Sequence, residues 1–159
     1  SSPQGIFDYE LTTPLRVMGS LAFIIGEYGV VSADYEFQDF TESRLRADNT
    51  DFYEQNNAIQ DKYTSTSNIR LGTEWRLNPI AFRAGYALYG SPFKTGINDA
   101  KRTTMSFGIG FREKQFFIDF AYSYSKQKED YYFYDPQLVK PVKNENIGHN
   151  IMMTVGFKY

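Results

Sequence analysis

The feature that most constrains this chain is strict alternation between apolar and small or polar residues in two adjacent segments. In 104–111 and 116–125 every second residue is apolar, namely Met105, Phe107, Ile109, Phe111, Phe116, Ile118, Phe120, Tyr122 and Tyr124. Successive side chains of a β-strand point to opposite faces, so each segment is typical of a strand with one apolar face. Only residues 112–115 separate the two segments. The pattern therefore predicts a β-hairpin.

The same parity recurs along most of the chain. It predicts further strands within 7–25, 31–37, 68–77, 80–89 and 150–159. Pro14 lies inside the first of these, where it would kink the strand, form a bulge or divide it into two short strands. We therefore expect one all-β, antiparallel domain over residues 1–159, with seven or eight strands.

The predicted connections alternate strictly between short and long. Short turns lie at 26–29, 78–79 and 112–115, and long polar connections lie at about 44–66, 91–102 and 127–146. The segment "NTDFYEQNNAIQDKY" in the first long connection could form a short helix. All short turns would then lie at one end of the sheet and all long loops at the other. This asymmetry is typical of transmembrane β-barrels of the outer membrane.

The polar side of the predicted strands combines many glycine, alanine and serine residues with charges of both signs. This composition suits the crowded, hydrated interior of a barrel, so we expect these charged residues to face its lumen: Arg16, Asp34, Glu36, Arg70, Glu74, Arg76, Arg83 and Asp119. Arg70, Arg76 and Arg83 are expected to pair with Glu36, Glu74 and Asp119 across strands. Such pairs would brace the wall, or alternatively tune a polar path.

The apolar side is continuous and rich in aromatic residues. We expect it to face lipid, with these aromatic residues in contact with the bilayer: Tyr35, Phe37, Trp75, Phe82, Tyr86, Phe107, Phe111, Phe116, Phe120, Tyr122, Phe157 and Tyr159. The alternative is that they form the core of a soluble sandwich or lipocalin-like barrel. No run of residues approaches the ~18 apolar positions that a membrane helix needs.

The last predicted strand, "IMMTVGFKY", alternates and ends on an aromatic residue. It resembles the carboxy-terminal signal by which bacterial outer-membrane barrels are recognised by their assembly machinery. The position of Gly156 departs from the usual glycine placement in that signal. The resemblance implies that the assembly machinery is a partner of this chain.

Longer segments resemble one family of outer-membrane proteins. The stretches "YELTTPLRVMGSLAFIIGEYGVVSADYEFQDF" and "IRLGTEWRLNPIAFRAGYALYGSPF", with "SFGIGFR" and "VGFKY", are similar to late strands of FadL/OmpP1/TodX-type transporters of Bacteroidetes. Members of that family are fourteen-stranded barrels with an amino-terminal hatch. The resemblance implies passive uptake of hydrophobic small molecules across the bacterial outer membrane. The resemblance covers most of this chain but only the carboxy-terminal part of the family's proteins. It does not assign a transport role to any residue of this chain.

Seven strands raise the question of how the sheet is closed, because single-chain bacterial barrels have even strand numbers. Three answers are open: the chain is part of a larger barrel, Pro14 creates an eighth strand of a small closed barrel, or two copies pair. The opening residues lack the basic and apolar regions of a signal peptide. We therefore expect a mature or truncated form.

Several function classes lack support in the sequence. The formal net charge of −2 gives no electrostatic case for nucleic-acid binding, and the chain has no cysteine. Its one histidine, His149, is expected to be structural, and no catalytic motif occurs, so we predict no enzyme activity, no metal and no cofactor. Two rivals to transport remain: a structural, adhesive or complex-forming barrel, and a soluble lipophile-binding barrel.

Overall fold

A computed structural model describes residues 8–131 and 141–157, with only the backbone described at Tyr131. Across these residues the chain forms strands β1 (Glu10–Thr12), β2 (Leu15–Ile25), β3 (Gly29–Asp39), β4 (Arg44–Arg46), β5 (Ser65–Leu77), β6 (Ile80–Tyr89), β7 (Arg102–Arg112), β8 (Phe116–Tyr131) and β9 (Val142–Phe157). A 3-10 turn (Phe40–Glu42) and one helix, α1 (Tyr53–Lys62), lie between β3 and β5. The predicted all-β class is confirmed, and α1 lies within the segment predicted to form a short helix.

Seven strands form one antiparallel sheet in the order β2-β3-β5-β6-β7-β8-β9. Each long strand pairs with its predecessor in the sheet through an unbroken register, such as Leu15↔Asp39 to Ile25↔Gly29 between β2 and β3. Within the described residues β2 pairs only with β3 and β9 only with β8, so the sheet has two edges. No closed barrel is present in this part of the chain.

The first predicted strand is interrupted at Pro14. Of the three effects predicted for this proline, a kink, a bulge or a division into two strands, the division is the one that occurs. Proline has no backbone N–H for a sheet hydrogen bond, which favours a break there. The short strand β1 pairs with β4 instead of joining the large sheet, with Leu11 opposite Leu45. The division therefore does not supply an eighth strand to the sheet, and the prediction of a small closed barrel by this route is not supported.

The predicted asymmetry of the connections is present. Short turns at 26–28, 78–79 and 113–115 lie at one end of the sheet, which we call the turn end, and the long connections 40–64 and 90–101 lie at the loop end. Gly26 has φ 57° in the first turn, a left-handed conformation that glycine adopts without steric cost. Strand β8 extends to Tyr131 and strand β9 begins at Val142, so the third connection is shorter than the predicted 127–146.

The described residues contain no hydrophobic core of the usual kind. Ala81 is the one buried hydrophobic side chain among them, and none of the large side chains described is fully buried. No helix in this part of the chain is long and apolar enough to span a membrane. One sheet therefore stands without a second layer packed on its apolar side.

Candidate functional site

The strand register sorts the predicted residues onto two faces of the sheet. Eleven of the twelve predicted aromatic residues lie on one face of the sheet, which we call the apolar face. Each of them is directly opposite a residue of this face on the neighbouring strand, or lies an even number of residues along its own strand from such a position. Tyr159 lies outside the described residues. The opposite face, called the polar face, contains all eight predicted charged residues. The sequence thus predicted correctly which residues share a face.

The apolar face has an uncharged band about nine residues tall on most strands. In β5 and β6 the band covers 69–77 and 80–88, which pair from Ile69↔Leu88 to Leu77↔Ile80. Nine residues span roughly 27 Å along a strand, close to the 9–11 residues with which a tilted strand crosses a bilayer. The charged residues of this face on β8 and β9, such as Lys126 and Glu145, lie beyond the band at the loop end.

Side chains of this band are widely exposed. The exposed fraction is 67% for Leu21 at one edge, 58% for Phe107 near the centre and 70% for Phe157 at the other edge. The exposure therefore extends across the whole sheet and is not confined to its edges. A surface this large and apolar marks contact with lipid, a ligand or another protein.

Polar groups on the apolar face find partners within the sheet. The Thr73 hydroxyl donates to the Val30 carbonyl at 3.0 Å, and the Tyr35 and Ser67 hydroxyls are 2.8 Å apart. The Tyr122 hydroxyl lies 2.8 Å from Nδ1 of His149. Internal pairing of this kind is what an apolar surrounding demands, because an unpaired polar group there costs free energy.

His149 is therefore part of a hydrogen-bonded group of aromatic residues on the apolar face. Its ring lies 5.3 Å from the ring of Tyr124 and 6.1 Å from that of Tyr122. Among the residues that the structure describes, no cluster of histidine and carboxylate side chains could hold a metal ion.

The buried side chains lie on the polar face. Glu36 is 4% exposed, and Thr66, Asn68 and Ala81 are also buried there. Charged and polar residues are rarely buried in soluble proteins, where apolar side chains fill the interior. The described part of the sheet thus has the opposite arrangement, because its few buried side chains are mostly polar and its large apolar side chains are exposed.

One group of paired charges is centred on the buried Glu36 near the loop end, and we call it the Glu36 cluster. Its Oε2 accepts hydrogen bonds from Arg16 at 2.6 Å and from Arg70 at 2.7 Å, and its Oε1 accepts one from Asn68 at 2.8 Å. Asn68 in turn accepts a bond from the Gly90 backbone N–H at 3.1 Å. The cluster therefore joins β2, β3 and β5 to the end of β6.

The second group, the Arg83 cluster, lies nearer the turn end. Arg83 donates from Nε to Glu74 at 2.8 Å and from a terminal nitrogen to Asp119 at 2.7 Å. Glu74 also pairs with Arg76. Asp119 has a second, longer ion pair with Arg112 at 3.9 Å. These pairs link β5, β6, β7 and β8.

The predicted charge pairs form as expected: Arg70 with Glu36, Arg76 with Glu74, and Arg83 with both Glu74 and Asp119. Asp34, also predicted for this face, has no ion pair within the described part of the chain. Asn68 was not predicted from the sequence, because its role depends on its exact register against Glu36. Arg102, whose guanidinium lies 4.2 Å from the centre of the Tyr89 ring, was not predicted either.

Small residues on the polar face leave room for these clusters. A Cβ atom at Gly110 would collide with the Asp119 carboxylate and lie 3.2 Å from a guanidinium nitrogen of Arg83. A Cβ atom at Gly85 would press on the Ser106 hydroxyl. The glycine-rich pattern noted in the sequence therefore has a steric reason, since close charge pairs need neighbours without side chains.

The long connections are tied to each other and to the sheet. The Tyr63 ring packs between Phe40 at 6.4 Å and Phe93 at 5.0 Å, and Tyr63 and Phe93 form a β-bridge between the first and second long connections. The Asn56 side chain exchanges two hydrogen bonds with the Leu45 backbone, at 2.8 and 3.0 Å. A cavity of about 580 Å³ lies between β1, β4 and the start of α1.

Comparison of the chain with protein-family models, curated proteins and solved structures found no match. The two faces of the sheet and the paired charges are therefore the features from which a function can be inferred.

Proposed function

We propose that this chain forms wall strands of a bacterial outer-membrane β-barrel that allows passive transport of hydrophobic small molecules. The apolar face contacts lipid, and the polar face lines the interior. The observation that supports this most strongly is the reversed burial of the sheet. Glu36 is 4% exposed on one face, while Leu21 on the other is 67% exposed.

A lipid environment removes the energetic problem that this arrangement would have in water. Full burial of one large apolar side chain is worth about 1.5–3 kcal/mol, and many such side chains are exposed together. The uncharged band fits as well, because a charge at the bilayer midplane costs about 2–4 kcal/mol in a barrel. A soluble lipophile carrier would instead enclose these side chains.

The absence of cysteine from the sequence makes the membrane part of this proposal easy to test. Leu21 and Ala22 are neighbours on β2 at nearly the same height but on opposite faces. Each would be replaced by cysteine, labelled with an environment-sensitive fluorophore, and studied in membranes containing lipids with quenching groups on their acyl chains. We expect strong quenching for Leu21→Cys and weak quenching for Ala22→Cys.

Trp75 supplies an independent check without any substitution, since it is the chain's one tryptophan and lies on the apolar face. Its emission should be quenched by the same lipids and protected from iodide. Equal quenching of the two labels, together with access of iodide to Trp75, would disprove contact between the apolar face and lipid.

The transport part of the proposal comes from the family resemblance and needs its own experiment. Cells that express the protein should accumulate a fluorescent hydrophobic naphthylamine across the outer membrane faster than cells that express an unrelated barrel. Ala121 and Phe120 are adjacent on β8 and lie on the polar and apolar faces, respectively. Ala121→Trp should slow uptake by narrowing the interior, while Phe120→Trp should leave it unchanged. Equal uptake by all four strains would exclude the transport role.

A second candidate function is supported by the order of the loop end. The connection between β3 and β5 contains α1, pairs through β4 with β1, and is bridged to the next long connection. Ordered surface loops of this kind serve for partner binding in many proteins. The alternative is therefore a structural, adhesive or complex-forming barrel. Deletion of residues 44–62 that abolished co-purification of a partner, with uptake unchanged, would favour it.

The proposed partners follow from these assignments. They are membrane lipid on the apolar face, a hydrophobic cargo inside the barrel, and the barrel assembly machinery at β9. The last of these depends on the carboxy-terminal resemblance. It predicts that truncation after Gly156 lowers the amount of protein assembled in the membrane.

A further inference from the structure

The two outer strands of the sheet run in the same direction. Strand β2 begins at the loop end and finishes at the turn end, and β9, at the opposite edge of the sheet, also begins at the loop end and finishes at the turn end. Six antiparallel pairings separate β2 from β9, and an even number of reversals restores the original direction. Direct contact between β2 and β9 would therefore make a parallel pair.

The same parity applies to two copies of the chain. If two sheets are joined side by side with their loop ends on the same side of the membrane, β9 of one copy meets β2 of the next. Both junctions would then be parallel. An entirely antiparallel ring is reached only when an odd number of further strands lies between β9 and β2.

Both outer strands are built to be paired. Natural proteins protect exposed sheet edges with charges, prolines or bulges. Strand β2 has one charged residue, Arg16, and its eleven-residue register against β3 contains no bulge. Strand β9 has no charged residue from Asn150 to Phe157. Lipid offers no hydrogen-bond partner to an unpaired backbone N–H or C=O group, so such edges would be strongly destabilising.

The position of β1 indicates how the chain reaches β2. Its pairing with β4 holds residues 10–12 at the loop end, and only Thr13 and Pro14 separate it from β2. A strand that precedes β1 and finishes at the loop end would run antiparallel to β2. The segment containing β1 would then be another long connection, in keeping with the alternation of short and long connections along the chain.

We propose that this sheet is one arc of a larger barrel, closed by an odd number of additional antiparallel strands of the same polypeptide. One of these strands pairs with the outer edge of β2 and is joined to it through β1. This inference rests on the proposed membrane function and specifies how the barrel is completed.

Cross-linking in the outer membrane of cells that express the natural gene tests the proposal. One double variant, Ala22→Cys with Ser32→Cys, joins cross-strand partners on β2 and β3 and serves as the positive control. Three others combine Ala22→Cys with Asn150→Cys, Met152→Cys or Thr154→Cys, which cover the polar face of β9. A short bismaleimide should cross-link the control and none of the other three.

Two outcomes would overturn the proposal. An intramolecular link between β2 and β9 would show a parallel seam in a closed seven-stranded barrel, and an intermolecular link would show that a second copy completes it. Hydrogen exchange in the same membranes adds a second measurement. Amides of β2 and β9 should exchange as slowly as those of β5, while rapid exchange along either outer strand would show an unpaired edge and refute the inference.

These results are separable from a failure of the proposed function. If the apolar face does not contact lipid, the label at Leu21 is not quenched, whatever cross-links form. If the apolar face contacts lipid but β2 and β9 cross-link, the membrane assignment stands and the additional strands are excluded.

Discussion

Replacement of Glu36 by glutamine tests whether the ion pairs around this buried carboxylate brace the sheet. The carboxylate accepts hydrogen bonds from Arg16, Arg70 and Asn68 at 2.6, 2.7 and 2.8 Å. Glutamine keeps the length of the side chain and can still accept the bond from Asn68. It removes the negative charge that both guanidinium groups face, so the change isolates the charge-assisted bonds.

The size of the effect can be worked out from the exposure of the two arginines. Arg70 is 28% exposed, and a hydrogen bond between charged groups of this kind contributes about 1.5–3 kcal/mol. Arg16 is 57% exposed, so its pair contributes only about 0–1 kcal/mol. We therefore expect Glu36→Gln to lower the free energy of unfolding by about 1.5–4 kcal/mol.

The matched control is Asp34→Asn. Asp34 lies two residues away on the same face of β3, is half-buried, and has no ion pair within the described residues. Its replacement should change stability by less than about 0.5 kcal/mol. Unfolding in a denaturant series, followed by the emission of Trp75 on the opposite face, measures both variants. Equal stability of Glu36→Gln and Asp34→Asn would refute the bracing role.

Three further predictions use the same assay or simple variants of it. Arg83→Ala leaves two carboxylates without their shared cation and should cost about 3–5 kcal/mol while barely changing uptake; a selective loss of uptake at unaltered stability would contradict bracing. Phe107→Arg should destabilise the protein in lipid by about 2–4 kcal/mol, whereas Ser106→Arg on the polar face should cost much less, and similar costs would count against the assignment of the faces. Gly110→Ala should cost about 1–3 kcal/mol because its Cβ atom meets a carboxylate, while Gly19→Ala, which meets nothing within 4 Å, should be nearly neutral in the same titration.

The sequence predicted the pairing of charges as well as the faces on which they lie. Arg70, Arg76 and Arg83 were expected to find Glu36, Glu74 and Asp119, and they do. The prediction succeeds because alternation fixes the face of each residue, and short turns fix the register of neighbouring strands.

Other features could not be obtained from alternation. The outer parts of β8 and β9 are mostly polar on both faces, so 126–130 and 142–148 gave no periodic signal. Cross-strand pairs such as Lys126 with Glu145, at 2.7 Å, extend the ladder there. Asn68 was missed for a related reason, since an amide has no charge that would suggest a partner.

The sequence by itself determined the all-β class, the seven long strands, the separation of short and long connections, and the two faces, because side-chain direction in a strand follows position with a period of two. Only the tertiary structure decided that the polar face is the buried one and that β1 leaves the sheet to pair with β4. It also decided that β2 and β9 are parallel edges. Burial and edge pairing depend on which strands lie beside one another in space, and local sequence does not encode that.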